Sequence, residues 1–506
     1  MALEVLPLTT IGIIIVIAIL VSILVKKFGQ NPVLGYIIAG FLLGPFLLNF
    51  LRPSDPLVLG FGEMGLFIVL FYLGLESSLK DFLAAGTTAF FLGILDIMGS
   101  IAIGFAISQV FGFSFLFSFL VGVMLFCTST AIVAKFAFDN KIIRDPSTHI
   151  AISILIFQDL VAITMLVFIT SFTTGGQGLD LPISAVMFAT AAFFVVYQLS
   201  QWAENWLSKN GYGHVEMTLF SLGVGLIVAT AAGFLHLSMA LGAHFAGFAL
   251  AETKAGNKIK KDINFLRDFF LVFFFVSFGT TIFFSHEAGT VVIPDPLTLL
   301  IMLGFAALLV IAGTIVHGTV FTLFGPLFGL KRGNDTSRPA IFMGPLGEFV
   351  VIIATSAVVL LEGTEAFLLP TVAFLIIAVS VIIFQPMYHG IWLHQRIFGM
   401  LPKIFPDRKE TVIVAHNSET IDYMKKIAVN LFIVLAIGWV AVLLFNQLPR
   451  LGVPLPFGRE TTTGIIFLLF AALPLVRAFR AARHIIKKFH WRGLARQKKW
   501  PETSAQ

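Results

Sequence analysis

Apolar residues run through this chain in long blocks, separated by short clusters of Gly, Pro, Asn and charged residues, from Leu8 almost to Phe479. Each block has at least about 17 residues, enough to cross a hydrocarbon layer of about 30 Å as a helix. The pattern predicts fifteen spans, with the first eight near 8–25, 32–50, 62–80, 87–110, 115–138, 147–172, 181–205 and 214–235. The remainder fall near 237–252, 264–285, 296–325, 337–361, 366–389, 427–446 and 462–481.

Composition narrows the class. Of 506 residues, 58% are hydrophobic and 12% charged, against roughly 45–50% and 25% in soluble domains. A soluble globular protein is excluded, and the expected fold is an all-α polytopic membrane protein. The first span has Glu4 before it, Lys26 and Lys27 after it and no small-residue cleavage site, so it reads as a retained helix. The single cysteine, Cys127, allows no intramolecular disulfide, and no Cys/His cluster has metal-ligand spacing. No resident cofactor is expected. The formal charge of +6 does not point to nucleic acid, because the basic residues sort by membrane face. With the N-terminus outside, every odd-numbered span is followed by a cytoplasmic segment, and 30 of the 33 Lys and Arg residues then fall on or beside the inner face. Arg52, Arg450 and Arg459 are the exceptions. The C-terminus is then cytoplasmic, and the expected location is a bacterial inner membrane.

The chain also repeats itself. Leu34-Gly35-Tyr36-Ile37-Ile38-Ala39-Gly40-Phe41 in the second span matches Leu241-Gly242-Ala243-His244-Phe245-Ala246-Gly247-Phe248 in the ninth at Leu, Gly, Ala, Gly and Phe. Small-xxx-small patterns are common in packed membrane helices. The following spans, however, also end alike, with Phe71-Tyr72-Leu73-Gly74 against Phe275-Val276-Ser277-Phe278-Gly279. The repeats, about 8–172 and 214–389, are separated by an odd number of spans and must lie in opposite orientations, a signature of secondary transporters.

Such folds place an ion site near the midplane at interrupted helices. The fifth span carries Thr128, Ser129 and Thr130 mid-span, and the twelfth carries Gly344, Pro345 and Gly347 followed by Glu348. Asp159 lies near the midpoint of the sixth span, roughly 18 Å from either end at 1.5 Å per residue. Snorkelling cannot reach water from there, so the carboxylate should either take a proton or hold a cation, as a cation/proton exchanger requires, the alternative being a structural Asp paired to a helix terminus or a neighbouring base. Gln158 offers a carbonyl oxygen to a cation without adding a second charge, or bonds a neighbouring helix. Glu348 either meets half-helix dipoles or belongs to a structural ion pair. His317 in the eleventh span is either the counter-charge that occupies Asp159 when no cation is bound or a neutral contact between helices. Asp96, mid-span in the fourth, either pairs with His317, lines an access path or is structural. His236 and His244 read as packing or interface residues, and Glu76 as a helix-end residue.

Together these residues resemble the monovalent cation:proton antiporter-2 family, particularly its Kef-type potassium/proton branch. The resemblance runs from about Gln30 to Pro386. It is carried by Asn31-Pro32-Val33-Leu34-Gly35-Tyr36 with Ala39-Gly40 and Gly44-Pro45, Leu73-Gly74-Leu75-Glu76, and Ser129-Thr130-Ala131-Ile132-Val133. Leu155-Ile156-Phe157-Gln158-Asp159, Leu237-Ser238-Met239-Ala240-Leu241-Gly242-Ala243 with Ala246-Gly247, and Gly347-Glu348-Phe349 complete it. The resemblance implies a thirteen-helix unit with two crossed broken helices, homodimeric, whose six-helix core moves like an elevator. By that analogy the core is the fourth, fifth, sixth, eleventh, twelfth and thirteenth spans. It also implies Asp159 as the ion-binding carboxylate, a potassium-linked Gln-Asp pair, and His317 where relatives commonly have a Lys. Kef-type members often carry a nucleotide-binding domain after the thirteenth span, but only about 40 residues lie here before two further spans, and no Gly-rich fingerprint is present.

The expected organisation is a transmembrane domain over 1–395, a cytoplasmic linker over 396–426, two additional spans over 427–481 and a basic tail over 482–506. Between Arg477 and Trp500 lie nine Lys or Arg residues with Phe479, Phe489, Trp491 and Trp500 among them. That segment is either a basic helix on anionic inner-leaflet lipid or ordinary positive-inside anchoring. The leading functional expectation is a carrier that exchanges K⁺ or Na⁺ for H⁺. The alternative is a gated monovalent cation efflux channel of the same fold, which calls for a continuous polar stripe. An intramembrane enzyme would need a second catalytic carboxylate, a Ser/Lys dyad or a His/Glu metal motif near Asp159, and none is spaced for it.

Overall fold

A computed structural model of the chain describes residues 7–401, apart from short stretches at 28–31, 77–85, 144, 174–179, 235–236, 238, 286–288, 293 and 329, together with a few residues between 473 and 480. The chain divides into two compact units, Met1–Lys409 and Glu410–Gln506. The linker after residue 401, nearly all of the two further spans and the basic tail lie outside the described residues, as does His236.

The described helices begin with α1 Pro7–Lys27, α2 Pro32–Leu43, α3 Pro56–Glu76, α4 Gly86–Val110, α5 Phe115–Leu125, α6 Thr130–Asp139, α7 Pro146–Thr173 and α8 Asp180–Lys209. They continue with α9 His214–Phe234, α10 Met239–Ala251, α11 Gly256–Thr281, α12 Pro296–Phe324, α13 Asn334–Phe342, α14 Glu348–Ala357, α15 Gly363–His389 and α16 Ile391–Gly399. Strands β1 Phe284–Ser285 and β2 Thr290–Val291 form a small antiparallel pair after α11. Among the described residues, eight helices are long and apolar enough to cross a membrane singly. The protein is a helical integral membrane protein.

Two expected spans are each split into half-helices, α5 with α6 and α13 with α14. Several boundaries differ from the apolar pattern for identifiable reasons. The second span was expected to reach residue 50, but α2 stops at Leu43. Pro45 has no N–H to continue the helix, and the chain folds back so that the Phe50 and Leu51 N–H groups both donate to the Leu43 carbonyl. The tenth was expected to begin near 264, yet α11 starts at Gly256 and carries Lys258, Lys260 and Lys261. A helix satisfies its own backbone whether or not lipid surrounds it, so charge marks the membrane edge and not the helix end.

The glycines of the repeated motif explain how the halves pack. A Cβ added to Gly40 of α2 would lie 2.1 Å from the Val276 carbonyl oxygen of α11, and one on Gly247 of α10 would lie 2.0 Å from the Phe71 carbonyl oxygen of α3. Gly279 meets the Ile37 carbonyl at 2.2 Å and Gly74 meets that of His244 at 2.2 Å, while Gly35 meets Ser22 and Gly242 meets Ala229. Residues 22, 35, 37 and 40 of the first half thus correspond to 229, 242, 244 and 247 of the second, a constant offset of 207. In the Gly40, Gly279, Gly74 and Gly247 contacts each half contributes one helix, whereas the Gly35–Ser22 and Gly242–Ala229 contacts lie within a half and repeat each other, so inverted repetition governs packing as well as sequence.

A separate buried apolar cluster draws Ala89 and Leu92 from α4, Val133 from α6, Ala151, Ile154 and Leu155 from α7, Val320 and Phe321 from α12, Ala340 to Phe342 from α13 and Phe384 from α15. These are the six spans named as a core by the family resemblance. Ile14, Ala18, Ala39, Leu43, Val58, Phe273 and Val276 build another cluster from α1, α2, α3 and α11.

Polar contacts at the helix ends respect the alternation of faces. Lys260 pairs with Glu76 at 3.0 Å, Arg338 pairs with Asp145, and the Ser114 backbone N–H donates to Glu365 at 2.6 Å. Every one of these contacts joins two span ends that odd/even counting assigns to the same membrane face.

Candidate functional site

Helix breaks have to satisfy the backbone groups they release, because no water is on hand in a hydrocarbon layer. Here the two breaks satisfy each other. Thr128 and Leu346 form an isolated antiparallel bridge: the Ser129 N–H donates to the Pro345 carbonyl at 2.7 Å and the Gly347 N–H to the Cys127 carbonyl at 2.9 Å. The Thr128 hydroxyl donates to the Met343 carbonyl at 3.1 Å. Gly347 permits this approach, since a Cβ there would lie 2.9 Å from the Ser129 Cα. Ser129 then caps α6 by accepting from the Ile132 N–H.

The crossing presents two half-helix N-termini, where unpaired N–H groups favour negative charge. A carboxylate stands at each. Asp159, at the centre of α7, accepts a 2.8 Å hydrogen bond from the hydroxyl of Thr130, the first residue of α6. Glu348 is itself the first residue of α14 and lines a narrow cleft with Val33 and Leu34 of α2, Ile132 of α6 and Val351 of α14. That cleft separates the apolar surface of α2 from the broken helices.

The remaining candidates form a second group. His317 Nδ1 lies 2.7 Å from Asp96 Oδ1, and the Gln158 amide nitrogen donates to Asp96 Oδ2 at 2.9 Å. Asp96, Gln158 and His317 are all buried, at 0%, 1% and 2% exposure. The structure therefore gives His317 a partner in Asp96, in place of the Asp159 pairing considered from the sequence. The geometry follows from α12 lying directly against α4, with Gly99 of α4 close to Val316. The Gln158 carbonyl oxygen is buried and, among the described residues, has no hydrogen-bond partner.

Two contributors were not singled out by the sequence pattern. Ser380 of α15 accepts from the Leu346 N–H at 3.0 Å and donates to the Ile377 carbonyl, so it supports the twelfth-span break from a neighbouring helix. A lone Ser in an apolar span carries no local signal of this role. Helix α16 crosses the boundary expected at 395/396, and its Phe398 ring packs on Gly318, beside His317. His244 is buried on α10, and its backbone carbonyl forms the glycine contact with α3.

Comparison with known proteins fits this architecture. The family profile described as "Sodium/hydrogen exchanger, transmembrane" matches residues 14–393. The chain is 26% identical over 420 residues to the K(+)/H(+) antiporter subunit KhtU of Bacillus subtilis, covering 79% of this chain and 96% of that protein. It is 29% identical over 329 residues to the Ammonium/H(+) antiporter subunit AmhT of Alkalihalophilus pseudofirmus, covering 64% and 78%. Among solved structures, the sodium proton antiporter MjNhaP1 from Methanocaldococcus jannaschii superposes with a TM-score of 0.55 at 16% identity, over 76% of this chain and 98% of that one. This chain belongs to the sodium/hydrogen exchanger transmembrane family, within which its motifs place it among the antiporter-2, Kef-type members.

Proposed function

We propose that the protein exchanges a monovalent cation, K⁺ or Na⁺, for protons, and that Asp159 is the group for which the two compete. The observation that carries this reading is the position of Asp159: mid-span, with its carboxylate held by Thr130 at the N-terminus of α6. A bare carboxylate is expensive to move through a low-dielectric environment, whereas a protonated or cation-loaded one is not. A core that crosses only when Asp159 is loaded couples the two fluxes without any further device. Thr130 supplies a donor to the ionised form, Glu348 a second negative charge on the cleft side, and Thr128, Ser129, Gly344, Pro345 and Gly347 the backbone geometry that holds the crossing in place.

The moving part, on this reading, is the set α4, α5, α6, α7, α12, α13, α14 and α15, of which α4, α6, α7, α12, α13 and α15 share an apolar cluster. The static part includes α2, α3, α10 and α11, locked by the glycine contacts. We place the N-terminus outside and the C-terminus in the cytoplasm of a bacterial inner membrane, with two copies forming a dimer and the basic tail against anionic lipid. The test is reconstitution: vesicles with an internal pH dye should report proton movement when K⁺ or Na⁺ is added outside. Cation flux that collapses its own gradient without any proton movement would point to the channel reading.

A further inference from the structure

The buried Asp96–Gln158–His317 group does not touch the Asp159 carboxylate, yet Gln158 and Asp159 are consecutive on α7. An ionised carboxylate accepts hydrogen bonds and cannot donate them. Asp96 Oδ1 already faces His317 Nδ1 at 2.7 Å, and Oδ2 faces the Gln158 side chain at 2.9 Å. The NH₂ end of Gln158 meets Oδ2, and an acceptor-only carboxylate at position 96 holds the amide in that orientation. Its carbonyl oxygen is consequently turned away from Asp96, buried and, among the described residues, without a hydrogen-bond partner. Leaving such an oxygen unsatisfied is costly, and a hard monovalent cation is an oxygen-seeking partner.

We infer that Asp96 and His317 are positioning residues that fix the Gln158 amide so that its carbonyl oxygen, and never its NH₂, is presented as a neutral ligand to the transported cation. This rests on the proposed exchange at Asp159 and adds a determinant of cation binding to it. Of the two donors on Asp96, His317 holds the carboxylate in place through Oδ1 and leaves Oδ2 for the amide. A neutral oxygen contributes to holding a cation without adding a proton-binding group, so affinity for the cation is tuned separately from proton coupling.

The test uses full-length protein in vesicles, with proton flux measured against K⁺ and, separately, Na⁺ concentration. Asp96→Asn keeps the shape but lets position 96 donate, so the Gln158 amide is free to reverse. The expected result is a roughly tenfold rise in the half-saturating K⁺ concentration and a changed K⁺/Na⁺ preference. Gln158→Met, which removes the oxygen and keeps the length, should produce a loss of similar size. Combining the two should add little, because Asp96 acts through Gln158. Unchanged affinity in Gln158→Met overturns the inference even if Asp96→Asn fails to fold. A full Asp96→Asn effect persisting in the Gln158→Met background also overturns it, by showing that Asp96 acts elsewhere. Asp159→Asn measured alongside separates the two ideas: flux surviving that change contradicts the exchange site, whereas lost flux there with unchanged affinity in the other variants contradicts only the orienting role.

Discussion

The Thr130 hydroxyl lies 2.8 Å from the Asp159 carboxylate, tying the first turn of α6 to the midpoint of α7. A hydrogen bond to a charged group contributes about 1.5–3 kcal/mol. Thr130→Val, which is isosteric and cannot donate, should therefore raise the half-saturating cation concentration by at least about tenfold, with each 1.4 kcal/mol giving a factor of ten. Thr130→Ser should stay near the parent. Concentration series of cation-driven proton flux on the three proteins decide it.

Ser380 supports the break in the twelfth span by accepting from the Leu346 N–H. Ser380→Ala leaves that N–H orphaned at membrane depth and should cost about 1–3 kcal/mol. Heat-induced unfolding in detergent should show a lower midpoint, and transport should fall as the crossing loosens. Ser380→Thr keeps the hydroxyl and should recover part of both.

The glycine contacts give a sharper packing prediction. Gly40→Ala and Gly247→Ala each force a methyl group into a backbone carbonyl on the partner helix, at 2.1 and 2.0 Å without adjustment. Overpacking of this kind costs about 1–3 kcal/mol. Because the two sites are related by the inverted repeat, their losses should be similar. Gly12→Ala and Gly60→Ala, which have nothing within 4 Å, should leave the unfolding midpoint unchanged.

Orientation is open to chemical labelling. Cys127 is buried, so Cys127→Ala gives a cysteine-free background. In it, Glu365→Cys should react with a membrane-impermeant thiol reagent on intact cells, and Glu76→Cys only after permeabilisation. The opposite pattern would invert the topology.

Much of the fold is legible in the chain because lipid imposes a simple requirement: every span must be long, apolar and internally bonded. The inverted repeat was visible for the same kind of reason, since only glycine fits where Gly40 and Gly279, or Gly247 and Gly74, bring backbones together. Asp159 and the two breaks stood out because a carboxylate, a run of hydroxyls or a Gly-Pro-Leu-Gly segment is rare in such surroundings. Side-chain pairing was less legible. A pairing of Asp96 with His317 was one of several alternatives for two lone residues 221 positions apart, and only the packing of their helices selects it. Helix α16 was missed because its nine residues form a half-polar surface turn where the apolar run ends, and the Phe398–Gly318 contact that seats it is tertiary.

Gln158→Asp places a second carboxylate beside the first, and the pair can then exchange protons as a coupled unit. Transport should become more sensitive to an imposed membrane potential, because more charge moves per cycle. Flux measured at several potentials set by ionophore should separate the variant from its parent.

The central claim is that the proton and the cation compete for one carboxylate. Asp159→Asn keeps the size and the neighbours of that side chain and removes its charge, so it isolates the claim from questions of folding. Purified Asp159→Asn protein should elute and unfold like its parent, yet vesicles containing it should show no proton movement on addition of K⁺ or Na⁺. Cation-dependent proton flux near the parental rate in those vesicles would contradict the account.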